Sequence, residues 1–192
     1  MPVAQKLPRV IRFGCHDTRR NLPVASARKR GESNFVAKFE RAFFESEMPD
    51  VAQGRHFATG REFALEGFGR ADLLFLAWTH KSSDQEFTAL ALKKSVRLTA
   101  IEAKLKDWRK GLMQAAAYRF FANRALLILP PDTAKIALGF ITTFRDLKVG
   151  LWEFDERKGT LRKHFTPRNG KSLNQKARER AIHRIATGLK LR

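Results

Sequence analysis

Three side chains in this sequence stand where charge is costly. Asp72 follows the glycine-rich turn Gly67-Phe68-Gly69 at the head of the apolar run Leu73-Leu74-Phe75-Leu76. Glu102 and Lys104 interrupt a second apolar run in the unit Ile101-Glu102-Ala103-Lys104. Both runs read as β-strands. Along a strand successive side chains alternate faces, so Glu102 and Lys104 share one face while Ile101, Ala103 and Leu105 take the other. Two carboxylates and an amine gathered at one edge of a sheet can hold a hard divalent cation and activate a water molecule. Taken as surface charges, Glu102 and Lys104 would be an exposed ion pair of little energetic weight. Their place inside buried runs argues against that, because charge is rarely buried without a compensating role.

Other chemistries find little support. The five histidines, His16, His56, His80, His164 and His183, are scattered without metal-ligand spacing, and the single cysteine, Cys15, can make neither an internal disulfide nor a zinc site. No serine sits in a nucleophile elbow, and Gly67-Phe68-Gly69 lacks the third glycine and following helix of a dinucleotide loop. Phe13, Phe57 and Phe165 could stack on bases, although most of the 16 phenylalanines must build core.

The elements that must position the three residues follow from periodicity. Residues 1–31 are rich in Arg, Pro and Gly and read as a basic arm. Asn34 is placed to cap a helix running to about Ser46, with Phe35, Val36, Phe39, Ala42 and Phe43 as its apolar stripe. Strands are expected at about 61–66 and 70–78, joined through the glycine pair, and at about 96–105. Residues 79–94 fit neither pattern cleanly. Asp107 caps a helix from Trp108 to about Ala122, and Ala125–Leu129 reads as a central strand buried on both faces. A short helix at 132–137, strands at 138–144 and 148–154, and a basic amphipathic helix at about 174–189 complete the chain. An antiparallel meander followed by a strand–helix–strand crossover predicts an α/β fold, a mixed central sheet flanked by helices.

The chain has 192 residues, 38 Lys and Arg against 19 Asp and Glu, and a net charge of +19. Residues 1–30 carry eight basic residues against Asp17, and residues 157–192 carry twelve against Glu179. The body between them is close to neutral, so the positive charge lies in an N-terminal arm and a C-terminal extension, 157–192. Such a distribution suits a polyphosphate backbone, where binding releases counterions. No apolar run is long enough to span a bilayer and no amphipathic anchor is evident, so the expected partner is a nucleic acid, not a membrane. One cysteine and no signal-like segment point to a reducing, cytoplasmic setting.

The ordered set of Gly69-Arg70-Ala71-Asp72, Ile101-Glu102-Ala103-Lys104 and the helix Asp107-Trp108-Arg109 through Gln114-Ala115 to Tyr118 resembles the PD-(D/E)xK nuclease superfamily, with its restriction-endonuclease-like fold. The likeness covers about residues 33–155 and would make 32–156 the nuclease-like core. It implies a metal-dependent DNA endonuclease using Mg2+, with Mn2+ as a substitute. Carried over, it makes Asp72, Glu102 and the carbonyl of Ala103 the metal ligands and Lys104 the catalytic lysine. Glu40 would match the acid many members carry on the first helix, with Glu32, Glu45 and Glu47 as nearby rivals. Gln114 would match the helix glutamine of some subfamilies. Arg70, Lys106, Arg109 and Tyr118 would face the nucleic acid. A homodimer is compatible with the family, as is a non-catalytic DNA-binding or structure-recognising subunit on the same fold. Ala71 stands where many members have proline, and the stretch between Asp72 and Glu102 is longer than in compact members.

Overall fold

The computed structural model describes residues 10–12, 27–47, 56–78 and 96–188. Most of the basic arm, the segment 79–95, Cys15, Phe13 and Leu189 lie outside that set. The described residues form one seven-stranded mixed sheet in simple sequential order. The strands are β1 (Val10–Arg12), β2 (His56–Leu65), β3 (Gly69–Trp78), β4 (Arg97–Ala103), β5 (Arg124–Leu129), β6 (Val149–Asp155) and β7 (Thr160–Phe165). β2, β3 and β4 form an antiparallel meander, β4, β5 and β6 run parallel, and β7 returns antiparallel at the edge. The three-residue β1 pairs parallel with β2 at the other edge.

Helices cover both faces. On one side, α1 (Ala27–Glu47) sets Phe35, Val36, Phe39 and Phe43 on Leu73, Ile101, Leu126, Ile128, Trp152 and Phe154. The other side carries α2 (Trp108–Tyr118), α3 (Pro131–Leu138), α4 (Ile141–Asp146) and α5 (Gln175–Gly188). They bury Leu112, Ala134, Phe144, Ala181 and Ile185 against Leu74, Leu98, Leu127 and Leu151. The α/β class and the helix-flanked mixed sheet are therefore as the periodicity predicts.

Four local expectations change. The first helix starts at Ala27, not after a cap at Asn34, and runs through Gly31, which lies beside Leu105. Residues 141–146 are helix instead of strand. Parallel neighbours such as β5 and β6 need a crossover of a dozen or more residues, and α3 with α4 supplies it. β7 escapes the periodicity because Arg162, Lys163 and His164 mask its alternation; charge on an edge strand is a common way of blocking further pairing. Finally, the segment after 157 is no extension: β7 pairs with β6, and α5 contributes Ala177, Ala181, Ile182 and Ile185 to the core.

Arg178 fastens α5 to the sheet. It is 5% exposed, and its guanidinium donates to Asn123 Oδ1 at 2.8 Å, Val96 O at 2.8 Å and Phe121 O at 3.4 Å. Asn123 in turn accepts from Leu98 N and donates to Gly170 O. One side chain thus joins α5 to the leads into β4 and β5. Replacing Arg178 with Met removes its bonds to the Val96 and Phe121 carbonyls and one of the two to Asn123 Oδ1, and should lower stability by about 2–3 kcal/mol in urea unfolding.

Candidate active site

The chain pairs β3 with β4 through Leu73↔Ile101 and then the ladder stops. Beyond that point the Ala103 amide takes the side chain of Asp72, whose Oδ2 accepts from Ala103 N at 2.8 Å. The strands open by one residue, and the opening is filled with carboxylate. Lys104 leaves the sheet as its amide donates to Ile128 O. Its Nζ turns back to Glu102 Oε1 at 2.5 Å and Ala103 O at 3.3 Å. Asp72, Glu102, Ala103 and Lys104 are thus brought together, as their spacing suggests.

α2 closes the site from above. Asp107 caps it by accepting from Lys110 N at 3.2 Å. Gly111 sits where a Cβ would be 2.7 Å from Lys104 Cγ and 2.7 Å from Leu127 Cδ1, so its missing side chain lets the lysine stem lie against the helix. Two turns on, Tyr118 points its hydroxyl at Arg70 O, 2.6 Å away, and at Glu102 Oε2. One hydroxyl proton serves one of these acceptors at a time, and when it goes to Glu102 it favours the carboxylate. Gln114 lies between Gly111 and Tyr118 on the helix, and its Oε1 is buried without a hydrogen-bond partner.

Burial raises the Asp72 carboxyl to about 6, opposed by the Ala103 amide and Lys104 and helped by Glu62 and Glu32. Burial likewise raises Glu102 to about 7, with repulsion from Asp72 adding to it and Lys104 and Tyr118 opposing. For Lys104 burial acts downward, yet Glu102, Asp72 and Glu32 together lift the ammonium above its ordinary value. Burial and Glu102 also push the Tyr118 phenol upward, so it remains a donor.

Several sequence expectations land elsewhere. Glu40 is buried on α1 but accepts from Thr59 Oγ1 at 3.1 Å and is clamped by Arg61, whose Nε lies 2.7 Å away. The first-helix acid whose charge acts on Asp72 and Lys104 is Glu32. Choosing it requires knowing that the helix starts at Ala27. Tyr118 is 1% exposed and so supports Glu102 instead of meeting a nucleic acid. Arg70, Lys106 and Arg109 are at the surface. Arg70 pairs with Glu62 at 3.1 Å, and Arg109 stacks on Trp108 and Phe140.

Glu62 itself has no sequence signal. It lies opposite Asp72, between the pairs Arg61↔Leu73 and Phe63↔Ala71, and has a φ of 54°. A left-handed residue reverses strand alternation, and the core on the α2 side accordingly passes from Ala58 to Phe63 and Leu65.

These residues fit a hard cation. Two carboxylates kept apart from water repel each other, and on α2, the helix over the site, the buried Gln114 amide oxygen lacks a partner. Among the described residues no three of His, Cys, Asp and Glu gather at ligand range. Asp72 and Glu102 would share such an ion with the Ala103 carbonyl and water. No protein-family model matches the chain, and no curated protein is similar to it.

The raised carboxyls fix the sign of the pH dependence. The folded protein holds a proton on Asp72 up to about pH 6, whereas the unfolded chain loses it near 3.8. The Asp72 contribution to stability is thus fully present at low pH and is lost as pH rises through 4 to 6. At pH 8 in chelator, Asp72→Asn should stabilise the protein by about 2 kcal/mol, since each tenfold change in proton affinity between the folded and unfolded chains is worth about 1.4 kcal/mol. Magnesium should raise the melting temperature of the wild type and leave that of Asp72→Asn nearly unchanged. Gly111→Ala should cost about 1–3 kcal/mol in urea unfolding through its contacts with Lys104 and Leu127.

Proposed function

We propose that the chain is a metal-dependent DNA endonuclease of the PD-(D/E)xK type, with a restriction-endonuclease-like core. The observation that carries this reading is the opened end of the β3–β4 ladder, where Asp72, Glu102 and Lys104 converge beneath α2. Sequential β2–β3–β4 antiparallel pairing, a crossover through α2 and a parallel β5 supply a sheet suited to that role. A bound Mg2+ would lower the pKa of a water and neutralise charge on the scissile phosphate.

The chain's own groups perform the rest. Asp72 is oriented by the Ala103 amide and Glu102 by Lys104 and Tyr118, and the two carboxylates are near enough to repel each other. Lys104 remains an ammonium in this field, so it can donate to the attacking water and to the non-bridging phosphate oxygens as charge grows there. Water adds to phosphorus while the bond to the departing sugar oxygen breaks. The exposed Arg70, Lys106 and Arg109 are cations available to the flanking phosphates.

Incubation of the purified protein with linear, flapped, branched and single-stranded DNA tests the proposal. Cleavage should require Mg2+ or Mn2+. Glu102→Ala and Lys104→Ala should each reduce it by about a hundred- to a thousand-fold without loss of folding. Salt-sensitive DNA binding without metal-dependent cleavage would instead favour a non-catalytic DNA-binding subunit.

A further inference from the structure

The face of the sheet covered by α1 holds a cavity at the end remote from Glu102. It has a volume of about 140 Å3 and is half open. Its walls are Phe43, Phe57, Phe75 and Trp152, and Arg97 and Arg124 line it as well. Phe57 and Phe75 stack at 5.5 Å with 19° between their planes, and Phe43 meets Phe75 edge-on at 5.2 Å. Thr99 is the cross-strand partner of Arg124, and Arg97 is two residues earlier on the same side of β4. Hence both guanidiniums belong to neighbouring strands and border one aromatic space. No acidic residue is among the described lining residues.

Aromatic walls accept a flat ring by stacking, and paired guanidiniums accept the oxygens of a phosphate. At about 140 Å3 the cavity is below the usual range for whole drug-sized ligands, so it suits a small flat ring and not a larger molecule. We infer that this cavity binds one nucleotide unit, with its base against the aromatic wall and its phosphate toward Arg97 and Arg124. It is separate from the proposed cleavage centre. Thr99 precedes Glu102 by three residues, roughly 10 Å along the strand, and odd and even positions of β4 face opposite sides. The bound unit is therefore not the scissile nucleotide. It is a free mononucleotide or a nucleotide of a strand held at a second point.

Deoxyadenosine monophosphate titrated into the full chain in EDTA tests the site independently of any cleavage. Calorimetry should show saturable binding, and Trp fluorescence should be quenched through Trp152 but not in Trp152→Phe. Arg97→Ala should weaken binding by roughly tenfold, as expected for loss of a charge-assisted contact. Ala77→Phe, which fills the cavity and leaves both arginines, should abolish it. Neither change should alter metal-dependent cleavage. Displacement of the mononucleotide by a 5′-phosphorylated single-stranded oligonucleotide identifies a strand as the source, and failure to displace it identifies the free nucleotide. The inference is overturned if deoxyadenosine monophosphate gives no saturable response, if both variants bind as the wild type does, or if uncharged adenosine binds as tightly.

Discussion

Everything at the candidate site depends on two carboxylates being held in the interior at the point where a β-ladder stops. Asp72 and Glu102 both sit where burial disfavours their charge, and each makes ionisation harder for the other. The surrounding residues offset that cost without removing it. The Ala103 amide, released from cross-strand pairing, goes to Asp72; Lys104 and Tyr118 go to Glu102. The result is an arrangement whose compensation is partial in the protein alone, the condition under which a cation has most to add.

The fold supplies this arrangement through chain order. A parallel β4–β5 pair requires a crossover, and α2 is that crossover, so its inward face necessarily lies over the end of β4. Glycine at 111 and tyrosine at 118 are two turns apart on that face. One admits the lysine stem and the other anchors the glutamate. The opposite face, packed by α1, sets apolar side chains around Ala103 and collects aromatic rings toward its far end. A single sheet thus separates a charged site from a ring-lined cavity by strand alternation alone.

Much of this is legible in the sequence. β3, β4, α2 and β5 have strong periodicity, Asp107 is a good cap, and acids within apolar runs demand an explanation. What the sequence conceals depends on tertiary partners. Helix α1 begins at Ala27, seven residues before the apparent cap, and with the start misplaced Glu40 looks as suitable as Glu32. Glu40 is in fact occupied by Arg61 and Thr59 from β2, residues distant in sequence. β7 carries Arg162, Lys163 and His164 because an edge strand tolerates them, which erases the alternation that would reveal it. Residues 141–146 contain β-branched side chains suited to a strand, but the crossover between parallel strands decides for helix.

The charge distribution takes on a different meaning once folded. Basic residues after 157 read as a tail that could reach in any direction, yet those up to Arg184 belong to folded elements and to loops hydrogen-bonded onto them. Because β4, β5 and β6 are parallel, their carboxyl ends coincide. The β6–β7 turn with Arg157 and Lys158 therefore lies at the same end of the sheet as Glu102 and Lys104, whereas Arg168 and Lys171 lie at the other end. A rigid scaffold of this kind gives a polyanion a fixed path, since cations held in register lose less freedom on binding than cations on a loose arm. Among the described residues, Arg157 and Lys158 add positive charge at the end of the sheet that holds Glu102 and Lys104.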